Sequence, residues 1–346
     1  MVKLGLIVFA NNSGLGAQTR RLTYMLKPDR ILAIDSSGFS KNKEQHFDWY
    51  DGFDGYLVKG FPNNMEIRKF MQGLTDVLVC ENPLNLNLMS IAERVGVKVY
   101  IQSNYEFCDH LNRNIALPYK FLMPSYWHVD TMKERFGDDK VMYLPPPIDP
   151  NEFKEAREEN FEREGTKKFL HIVGTLAAND RNGTLDLLNA VEKSQSDYEI
   201  VIRSQQPLPD EYMRTDHRIK YRVENAQEAQ DMYADFDALI LPRRYAGLSL
   251  TTNEALMSGL PVFMPDISPN NELLPKEWLY PATFKESFVA RVSIDVYQSD
   301  IDALAEKIDW IVGQDMEQMK VEAFDLGYNN FSDTVLRPKY EELFNK

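Results

Sequence analysis

The stretch YAGLSLTTNEALMSGLPV, from Tyr245 to Val262, joins a small polar loop to a helical pattern that carries a carboxylate. The loop contains Gly247, and we expect Glu254 to lie in the first turn of the helix. A carboxylate at that position is stabilised by the positive end of the helix dipole. The same group can accept two hydrogen bonds from a vicinal diol such as a ribose. The stretch therefore predicts either a helix-stabilising glutamate or part of a nucleoside site.

Two further glycine turns follow predicted strands and precede predicted helices. In FANNSGLGAQTRRL, Gly14 and Gly16 come after a strand that we expect to end at Ala10 and before a helix near Ala17. The second turn begins at Gly174, the end of strand FLHIVGT. Glycine lets the backbone approach a ligand, and a helix start offers N–H groups to an anion. These turns favour a phosphate or a sugar hydroxyl, although a simple tight turn stays open and the first does not match G-x-G-x-x-G.

Arg181 is the cation best placed to accompany such a ligand. It precedes Asn182-Gly183-Thr184 and a helical pattern over LDLLNAVEKS. A diphosphate needs charge and forked donors together, and a guanidinium beside a helix N-terminus supplies both. An isolated loop arginine often has no function, so this prediction depends on the neighbouring glycine turns.

Polar residues also follow the predicted strands in the first half of the chain. They are Asp35, Ser36, Ser37, Glu81, Asn82, Asn104, Tyr105, Glu106 and His110. The carboxyl ends of parallel strands meet at one edge of a sheet, where ligands bind. These side chains are as compatible with loop stabilisation as with contacts to a sugar or a base.

Two Asp-x-Asp strings raise the question of a metal site. Asp235-Phe236-Asp237 precedes the amino end of strand ALILP, away from the expected ligand edge. Asp300-Ile301-Asp302 opens the helical pattern DALAEKIDWIV, where aspartates act as caps. The scattered histidines show no ligand spacing. We therefore expect no metal.

These residues must be positioned by alternating strands and helices. Short apolar runs alternate with amphipathic stretches over the first half of the chain, and a second series restarts at residue 169, with a helix expected over EAQDMYADF. This alternation predicts an α/β fold with two Rossmann-like, doubly wound parallel-sheet domains that face each other across a cleft.

The domain boundary is predicted from a break in that alternation. The triple proline of VMYLPPPIDPNEF and the charged run after it indicate a linker around residues 145–166. We place one domain at 1–150 and a second at 151–330. The last residues, 331–346, read as a helix that packs back towards the N-terminal domain.

Length and composition are those of a globular protein with two domains. The chain has 346 residues, of which 43% are hydrophobic and 27% charged, and no apolar run is long enough to span a membrane. Cys80 and Cys108 favour reduced thiols in a cytoplasmic protein. A net charge of −14 argues against a broad nucleic-acid surface, whereas the pairs Arg20-Arg21 and Arg243-Arg244 favour a local basic strip.

The whole chain resembles a GT-B glycosyltransferase of the retaining, glycogen-synthase-like group 1 superfamily. That superfamily carries the pattern E-G-F-G-x-x-x-x-E-A-x-x-x-G-x-P-V. The positions in register here are Gly247, Glu254-Ala255, Gly259 and Pro261-Val262, and the strand-ending Gly174 is a separate match to the superfamily. The linker LPPPIDPNEF is also similar, and PRRYAGLSL and NNSGLGAQTRRL further resemble glycosyltransferases encoded by tailed phages.

The resemblance implies a role for each turn. Glu254 would bind the ribose of a nucleotide sugar, UDP-sugar above all, and Arg181 would neutralise its diphosphate. The family's lysine is replaced by Asn182, so a second cation would come from Arg243 or Arg244. The donor-site residues would be Gly14, Gly16, Gly174, Arg181, Asn225, Gly247, Leu248, Ser249, Leu250 and Glu254. The acceptor-side residues would be Glu81, Asn104, Tyr105, Glu106 and His110.

Retaining members of this superfamily need no protein nucleophile. The acceptor attacks on the face that the departing phosphate vacates, and that phosphate takes the proton. The protein must position the reactants and stabilise charge on the diphosphate, which makes Arg181 and Glu254 the catalytic residues. The first glutamate of the family pattern is Ala246 here, a change that bears on donor choice and activity.

The sequence thus predicts a retaining, metal-independent hexosyl- or pentosyltransferase with no cofactor beyond its nucleotide-sugar co-substrate. We expect residues 1–150 to hold the acceptor and 151–330 the donor, in the cytoplasm, or in a host's cytoplasm if the protein is phage-encoded. The acceptor would be a hydroxylated or hydroxymethylated base in phage DNA, or else a protein, lipid or glycan. A nucleotide-binding protein without turnover is the alternative outside the enzymes, and Ala246 is the residue that favours it.

Overall fold

The chain folds into two compact units, each with its own core. The computed structural model describes residues 2–38, 43–81, 85–112, 116–174, 176, 178–224, 226, 228–245 and 247–345. The first unit contains residues 1–147, 290–292 and 333–346. The second contains residues 148–289 and 293–332.

The first unit is built on a parallel seven-stranded sheet. Its strands are β1 (Leu4–Phe9), β2 (Arg30–Asp35), β3 (Gly55–Lys59), β4 (Asp76–Cys80), β5 (Lys98–Gln102), β6 (Lys120–Met123) and β7 (Val141–Tyr143). They are ordered β3-β2-β1-β4-β5-β6-β7, and every pairing is parallel. β1 and β4 are buried along their whole length, which explains their continuous apolar sequences. The helices of this part of the chain are α1 (Gly14–Leu26), α2 (Asn64–Met71), α3 (Leu88–Val95) and α4 (Val129–Phe136).

Helix α1 begins at Gly14 rather than near Ala17, so the predicted glycine loop is the first turn of the helix. Ser13 caps it: the Ser13 Oγ accepts a hydrogen bond from the N–H of Gly16 at 3.1 Å. A Cβ on Gly16 would stand 1.8 Å from the carbonyl oxygen of Asn11. Glycine is therefore required there by the close approach of the helix to the end of β1.

The second unit repeats this plan with a parallel six-stranded sheet. Its strands are β8 (Lys168–Gly174), β9 (Glu199–Ser204), β10 (Ile219–Val223), β11 (Ala238–Ile240), β12 (Val262–Pro265) and β13 (Leu279–Tyr280), ordered β10-β9-β8-β11-β12-β13. Its helices are α5 (Lys154–Glu162), α6 (Thr184–Lys193), α7 (Leu250–Met257), α8 (Asn270–Leu273), α9 (Ile301–Val312) and α10 (Met316–Phe331). The two predicted parallel sheets are thus confirmed.

Helix α5, of nine residues, lies within the stretch that the sequence assigns to a linker, so that part of the stretch is a regular helix. Its Asn160 is fully buried and donates hydrogen bonds to the carbonyl oxygens of Tyr233 and Ser258, both at 2.9 Å. The Asn160 Oδ1 also accepts from the N–H of Phe236 at 2.9 Å. These bonds make the charged helix part of the second unit.

Two other elements differ from expectation. The predicted helix over EAQDMYADF is reduced to a 3-10 turn at Gln230–Met232. An antiparallel hairpin, formed by β14 (Ala282–Val289) and β15 (Ser293–Ser299), was not predicted. Its strands are joined by Ala290-Arg291-Val292, which contains none of the usual turn residues.

The last helix, α11 (Asp333–Phe344), belongs to the first unit. Its Leu336, Tyr340 and Phe344 are fully buried in the core around β1. The Gln102 Nε2 donates to the Tyr340 Oη at 2.8 Å, and that hydroxyl donates to the Pro145 carbonyl at 2.9 Å. No helix in the described ranges is long and apolar enough to cross a membrane.

His171 joins the second sheet to the start of α6. Its Nδ1 lies 2.9 Å from the Ile240 carbonyl oxygen, and its Nε2 lies 3.0 Å from the Thr184 Oγ1. Because a carbonyl only accepts, Nδ1 carries the proton and Nε2 accepts from the threonine hydroxyl. Desolvation by full burial lowers the pKa of His171 to about 4, and the bond to Ile240 opposes this only in part.

We expect His171→Asn to reduce the acid sensitivity of the fold. Below a pH of about 6.5 the unfolded chain protonates this histidine, whereas the folded chain keeps it neutral down to about pH 4. The contribution of His171 to the free energy of unfolding is therefore fully present above pH 6.5. It is lost as the pH drops towards 4, and the total loss is about 3 kcal/mol. Denaturant unfolding near neutral pH and at about pH 4.5 should show a smaller loss in the variant than in the wild type. The exposed His217→Asn is the matched control; equal losses in H171N and wild type would contradict the assignment.

Candidate functional site

The loop between β11 and α7 brings a cation to the start of a helix. The Arg243 Nη1 donates to the Ser249 Oγ at 2.9 Å, and the same hydroxyl is 2.8 Å from the Thr252 Oγ1. Ser249 is the N-cap residue of α7, yet its side chain does not cap the helix. A buried guanidinium beside the positive end of a helix dipole favours an anion at that position. Ala246 of the same loop lies outside the described residues.

Glu254 lies one turn into α7, not in the first turn that the sequence suggests, and that first turn contains no acidic residue. Since the dipole effect is confined to the first turn, it does not explain this glutamate. The side chain is buried, and its Oε2 accepts a hydrogen bond from the Tyr233 hydroxyl at 2.7 Å. A buried carboxylate held by a tyrosine is suited to accept hydrogen bonds from a diol.

Tyr233 is a site residue that sequence reasoning missed. It follows the short 3-10 turn in a segment whose periodicity reads as a surface helix, and it is fully buried. Nothing in the sequence joins it to Glu254, because the two residues meet only when that turn packs beside α7.

Arg181 lies against the same loop. Its guanidinium carbon is 5.0 Å from the centre of the Tyr245 ring. Its carbonyl oxygen accepts a hydrogen bond from the N–H of Arg244 at 2.9 Å. Arg181, the loop after β11 and Glu254 all belong to the second unit.

The start of α6 differs from the predicted anion site. The carboxylate of Asp180 accepts hydrogen bonds from the N–H of Thr184 at 3.0 Å and of Leu185 at 2.9 Å. Desolvation raises the pKa of Asp180 in spite of these bonds. A Cβ on Gly183 would stand 1.9 Å from the Pro242 carbonyl oxygen, so this glycine permits the loop to pack against the helix. The N–H groups of α6 that we expected to meet a phosphate are occupied by the chain itself.

The two arginines after β11 have different partners. Arg244 forms a buried ion pair with Asp186, with 2.6 Å between Nη2 and Oδ1 and 3.2 Å between Nε and Oδ2. Arg243 instead lies at the start of α7, which makes it the better candidate for the second cation.

The predicted basic strip is not at the surface. Arg243, Arg244 and Arg21 are 6%, 7% and 8% exposed. The Arg20 guanidinium lies 4.8 Å from the Trp49 ring centre. Neither arginine pair therefore forms the exposed basic strip that a DNA backbone would contact.

The acceptor-side residues lie at the ends of neighbouring strands of the first unit. Glu81 follows β4 with a left-handed φ of 70°, and its N–H donates to the carbonyl of Gln102, the last residue of β5, at 2.6 Å. Tyr105 and Glu106 form a 3-10 turn just beyond β5, and both are buried. The Tyr105 ring is 5.0 Å from the ring of His110, which is buried as well. The structure thus brings these predicted residues, with Asn104 before the turn, to one edge of the first sheet.

The remaining predicted donor residues fall in different places. Gly174 ends β8 with a φ of 64°. Gly247, Leu248 and Leu250 lie with Ser249 at the start of α7. Gly14 and Gly16 belong to the first unit, and Asn225 lies outside the described residues, as does Asn82 on the acceptor side.

The two Asp-x-Asp strings are held by other contacts. Asp235 and Asp237 form ion pairs with Arg163 at 3.4 Å and 3.2 Å, and Asp237 also pairs with Lys320 at 3.0 Å. Asp300 accepts hydrogen bonds from the N–H groups of Asp302 and Ala303, which confirms the predicted cap of α9. In the part of the chain that the structure describes, no three His, Cys, Asp or Glu side chains are grouped as a metal site requires.

Residues 167–314 match the family model of glycosyl transferases group 1, so the second unit carries a glycosyltransferase domain. A comparison with curated proteins gives no match.

Solved structures match the chain over nearly its whole length. A glycosyltransferase from Rickettsia africae ESF-5 has 15% identity and a TM-score of 0.73, covering 99% of this chain and 98% of its own. Anabaena HepE in complex with UDP and glucose has 10% identity and a TM-score of 0.69, with full coverage of both chains. The sucrose-phosphate synthase of Thermosynechococcus elongatus has 11% identity and a TM-score of 0.67, covering 100% of this chain and 98% of its own. The chain therefore has the GT-B glycosyltransferase fold.

Proposed function

We propose that this protein transfers a sugar from a nucleoside diphosphate sugar to an acceptor hydroxyl. The observation that carries the proposal is the grouping, within the second unit, of Arg181, Arg243, the start of α7 and the buried Glu254. Two guanidinium groups and a helix N-terminus suit a diphosphate, and the carboxylate suits a ribose. The grouping lies in the segment that matches glycosyl transferases group 1.

The nucleotide that we propose is UDP. The solved structure of Anabaena HepE contains UDP and glucose, and it shares the fold of this chain along its length. In our proposal Arg181 and Arg243 neutralise the diphosphate, with Arg243 in place of the lysine that relatives carry. Tyr233 holds Glu254 in the orientation that meets the two ribose hydroxyls.

The proposed reaction retains the anomeric configuration and needs no metal. The bond between the sugar C1 and the phosphate oxygen breaks, and the acceptor oxygen bonds to C1 on the same face. The acceptor proton passes to the departing phosphate oxygen. The negative charge that develops on the diphosphate is stabilised by the two arginines and the dipole of α7.

We propose that the acceptor is a protein, lipid or glycan hydroxyl. The sequence put a hydroxylated or hydroxymethylated base of phage DNA first, from the resemblance to phage glycosyltransferases and from two arginine pairs, and three of those four arginine side chains are buried. Cys80 and Cys108 are buried and unpaired, which supports a reducing, cytoplasmic location.

The proposed activity is tested by incubating the protein with UDP-, GDP- and ADP-sugars and measuring release of the nucleoside diphosphate. We expect release from a UDP-sugar in buffer containing a chelator. NMR spectroscopy of the product should show the anomeric configuration of the donor. Tight nucleotide binding without turnover with any acceptor tested would instead identify a nucleotide-binding protein that lacks transferase activity. If the protein binds no nucleotide, the proposal is overturned.

Glu254→Gln should weaken UDP binding by about 100-fold, because an amide accepts weaker hydrogen bonds than a carboxylate and offers one oxygen instead of two. Tyr233→Phe should have a smaller effect, since it removes only the bond that orients the carboxylate. Isothermal titration calorimetry measures both, with the exposed Glu306→Gln as the matched control. Equal affinities in E254Q and wild type would remove Glu254 from the site.

A further inference from the structure

The β14–β15 hairpin is attached to the loop that carries the proposed donor site. The N–H of Tyr297 in β15 donates to the carbonyl oxygen of Arg244 at 2.8 Å. The Phe288 ring in β14 meets the Tyr245 ring edge-on, with 5.2 Å between centres. The hairpin thus contacts two successive residues of this loop, one through the backbone and one through a side chain.

Both of these residues also contact Arg181. Arg244 contacts the backbone of Arg181, because the Arg244 N–H donates to the Arg181 carbonyl at 2.9 Å. Tyr245 contacts the side chain of Arg181, because the Arg181 guanidinium carbon lies 5.0 Å from the centre of the Tyr245 ring. Tyr245 is only 6% exposed, so its ring is a fixed support.

Asp186 provides a third contact between the hairpin and the loop after β11. Asp186 pairs with the Arg244 guanidinium at 2.6 Å, and its other carboxylate oxygen accepts from the N–H of Ser299, the last residue of β15, at 3.2 Å. The end of the hairpin and the loop are therefore held by one buried carboxylate.

We propose that the hairpin and Tyr245 position Arg181 for the donor diphosphate, with Phe288 and Tyr245 as positioning residues that do not touch the donor themselves. An aromatic ring attracts a guanidinium through its face. In our proposal the guanidinium stacks on this face, so that the N–H donors in its plane are directed away from the ring. The inference rests on the proposed function, because it assumes that Arg181 binds a diphosphate.

The test compares UDP affinity in ring-deleting and ring-keeping variants. We expect Tyr245→Leu to weaken UDP binding about three- to tenfold, and Tyr245→Phe to bind UDP as the wild type does. Uridine lacks the diphosphate, so its affinity, followed by ligand-observed NMR, should be the same in all three proteins. A general structural defect would weaken uridine and UDP together.

A double-mutant cycle with Arg181→Ala decides whether Tyr245 acts through Arg181. The double variant R181A/Y245L should bind UDP no more weakly than R181A alone. Phe288→Leu provides a second variant in case Tyr245→Leu unfolds. Phe284→Leu on the same strand is its matched control, because the Phe284 ring packs on Tyr297 whereas the Phe288 ring packs on Tyr245. We expect F288L to weaken UDP binding and F284L to leave it unchanged.

The outcomes separate this inference from the proposed function. If the wild type binds none of UDP, GDP and ADP, both fail together. If Arg181→Ala weakens UDP binding while Tyr245→Leu and Phe288→Leu do not, or if the effects of Arg181→Ala and Tyr245→Leu are additive, only the positioning role is overturned.

Discussion

Replacing Arg181 with alanine should lower kcat for sugar transfer by about 100- to 1,000-fold, the range found when one preorganised donor to a developing anion is removed. Charge on the diphosphate grows as the bond to the sugar breaks. In the reaction that we propose, the Arg181 guanidinium beside Tyr245 would therefore interact more strongly with the transition state than with the bound donor. For that reason we expect kcat to fall, and not only KM for the donor to rise.

Arg181→Lys is the informative companion to Arg181→Ala. It keeps the charge but loses the forked donors and the stacking geometry, so its kcat should lie between those of wild type and R181A. The exposed Lys276→Ala, in the same unit, controls for a general loss of positive charge. A kcat for R181A close to that of wild type would show that Arg181 takes no part in the chemistry.

Asp186→Ala should lower the free energy of unfolding by about 3–5 kcal/mol, because it leaves the buried guanidinium of Arg244 without its main counter-charge. Asp186 is 1% exposed, and the nearest other carboxylate, on Asp180, stands 3.8 Å from the Arg244 Nη2. The variant also removes the acceptor of the Ser299 N–H, which attaches the hairpin. Denaturant unfolding measures the loss.

Two further variants show whether the buried charge is the cause. Asp302→Ala removes an aspartate of the same unit whose side chain is 75% exposed and pairs with Lys193, and it should change stability by about 1 kcal/mol or less. The double variant Asp186→Leu with Arg244→Met replaces the pair by apolar groups and should recover most of the stability. If the double variant is as unstable as D186A, the loss comes from packing and not from an unpaired charge.

The two substitutions separate stability from chemistry within one small region. Arg181 and Arg244 are joined by a backbone hydrogen bond of 2.9 Å, yet their side chains have different surroundings. Arg244 is enclosed by aspartates, whereas Arg181 lies on the face of an aromatic ring. We therefore expect R181A to fold normally and D186A to be the unstable variant.

Much of the fold followed from local patterns. Continuous apolar runs such as LGLIVF and DVLVC predicted buried parallel strands, and the capping aspartate at Asp300 predicted the start of α9. Patterns of this kind are local, since a buried strand or a helix cap needs only a few adjacent residues. The charged helix α5 was missed because its one buried polar residue, Asn160, has partners far along the chain.

The grouping that we propose as the donor site was predicted in part. The spacing of Gly247 and Glu254 and the position of Arg181 before a helix were readable from the sequence. Which of the two arginines after β11 faces the start of α7 was not, because adjacent residues are indistinguishable until their partners are known. Asp186 takes Arg244 into a buried ion pair, and Ser249 accepts from Arg243.

By itself, the sequence determined the two parallel sheets and supplied the side chains from which we propose the donor site, because periodicity and residue type are properties of short segments. Only the tertiary structure decided which of those groups are committed to the fold. Asp180 occupies the start of α6, Tyr233 donates to Glu254, and Tyr245 contacts both Phe288 of the hairpin and Arg181. Each of these contacts joins residues from separate elements, and a hydrogen bond or ring contact is specified by distance in space, which local sequence does not encode.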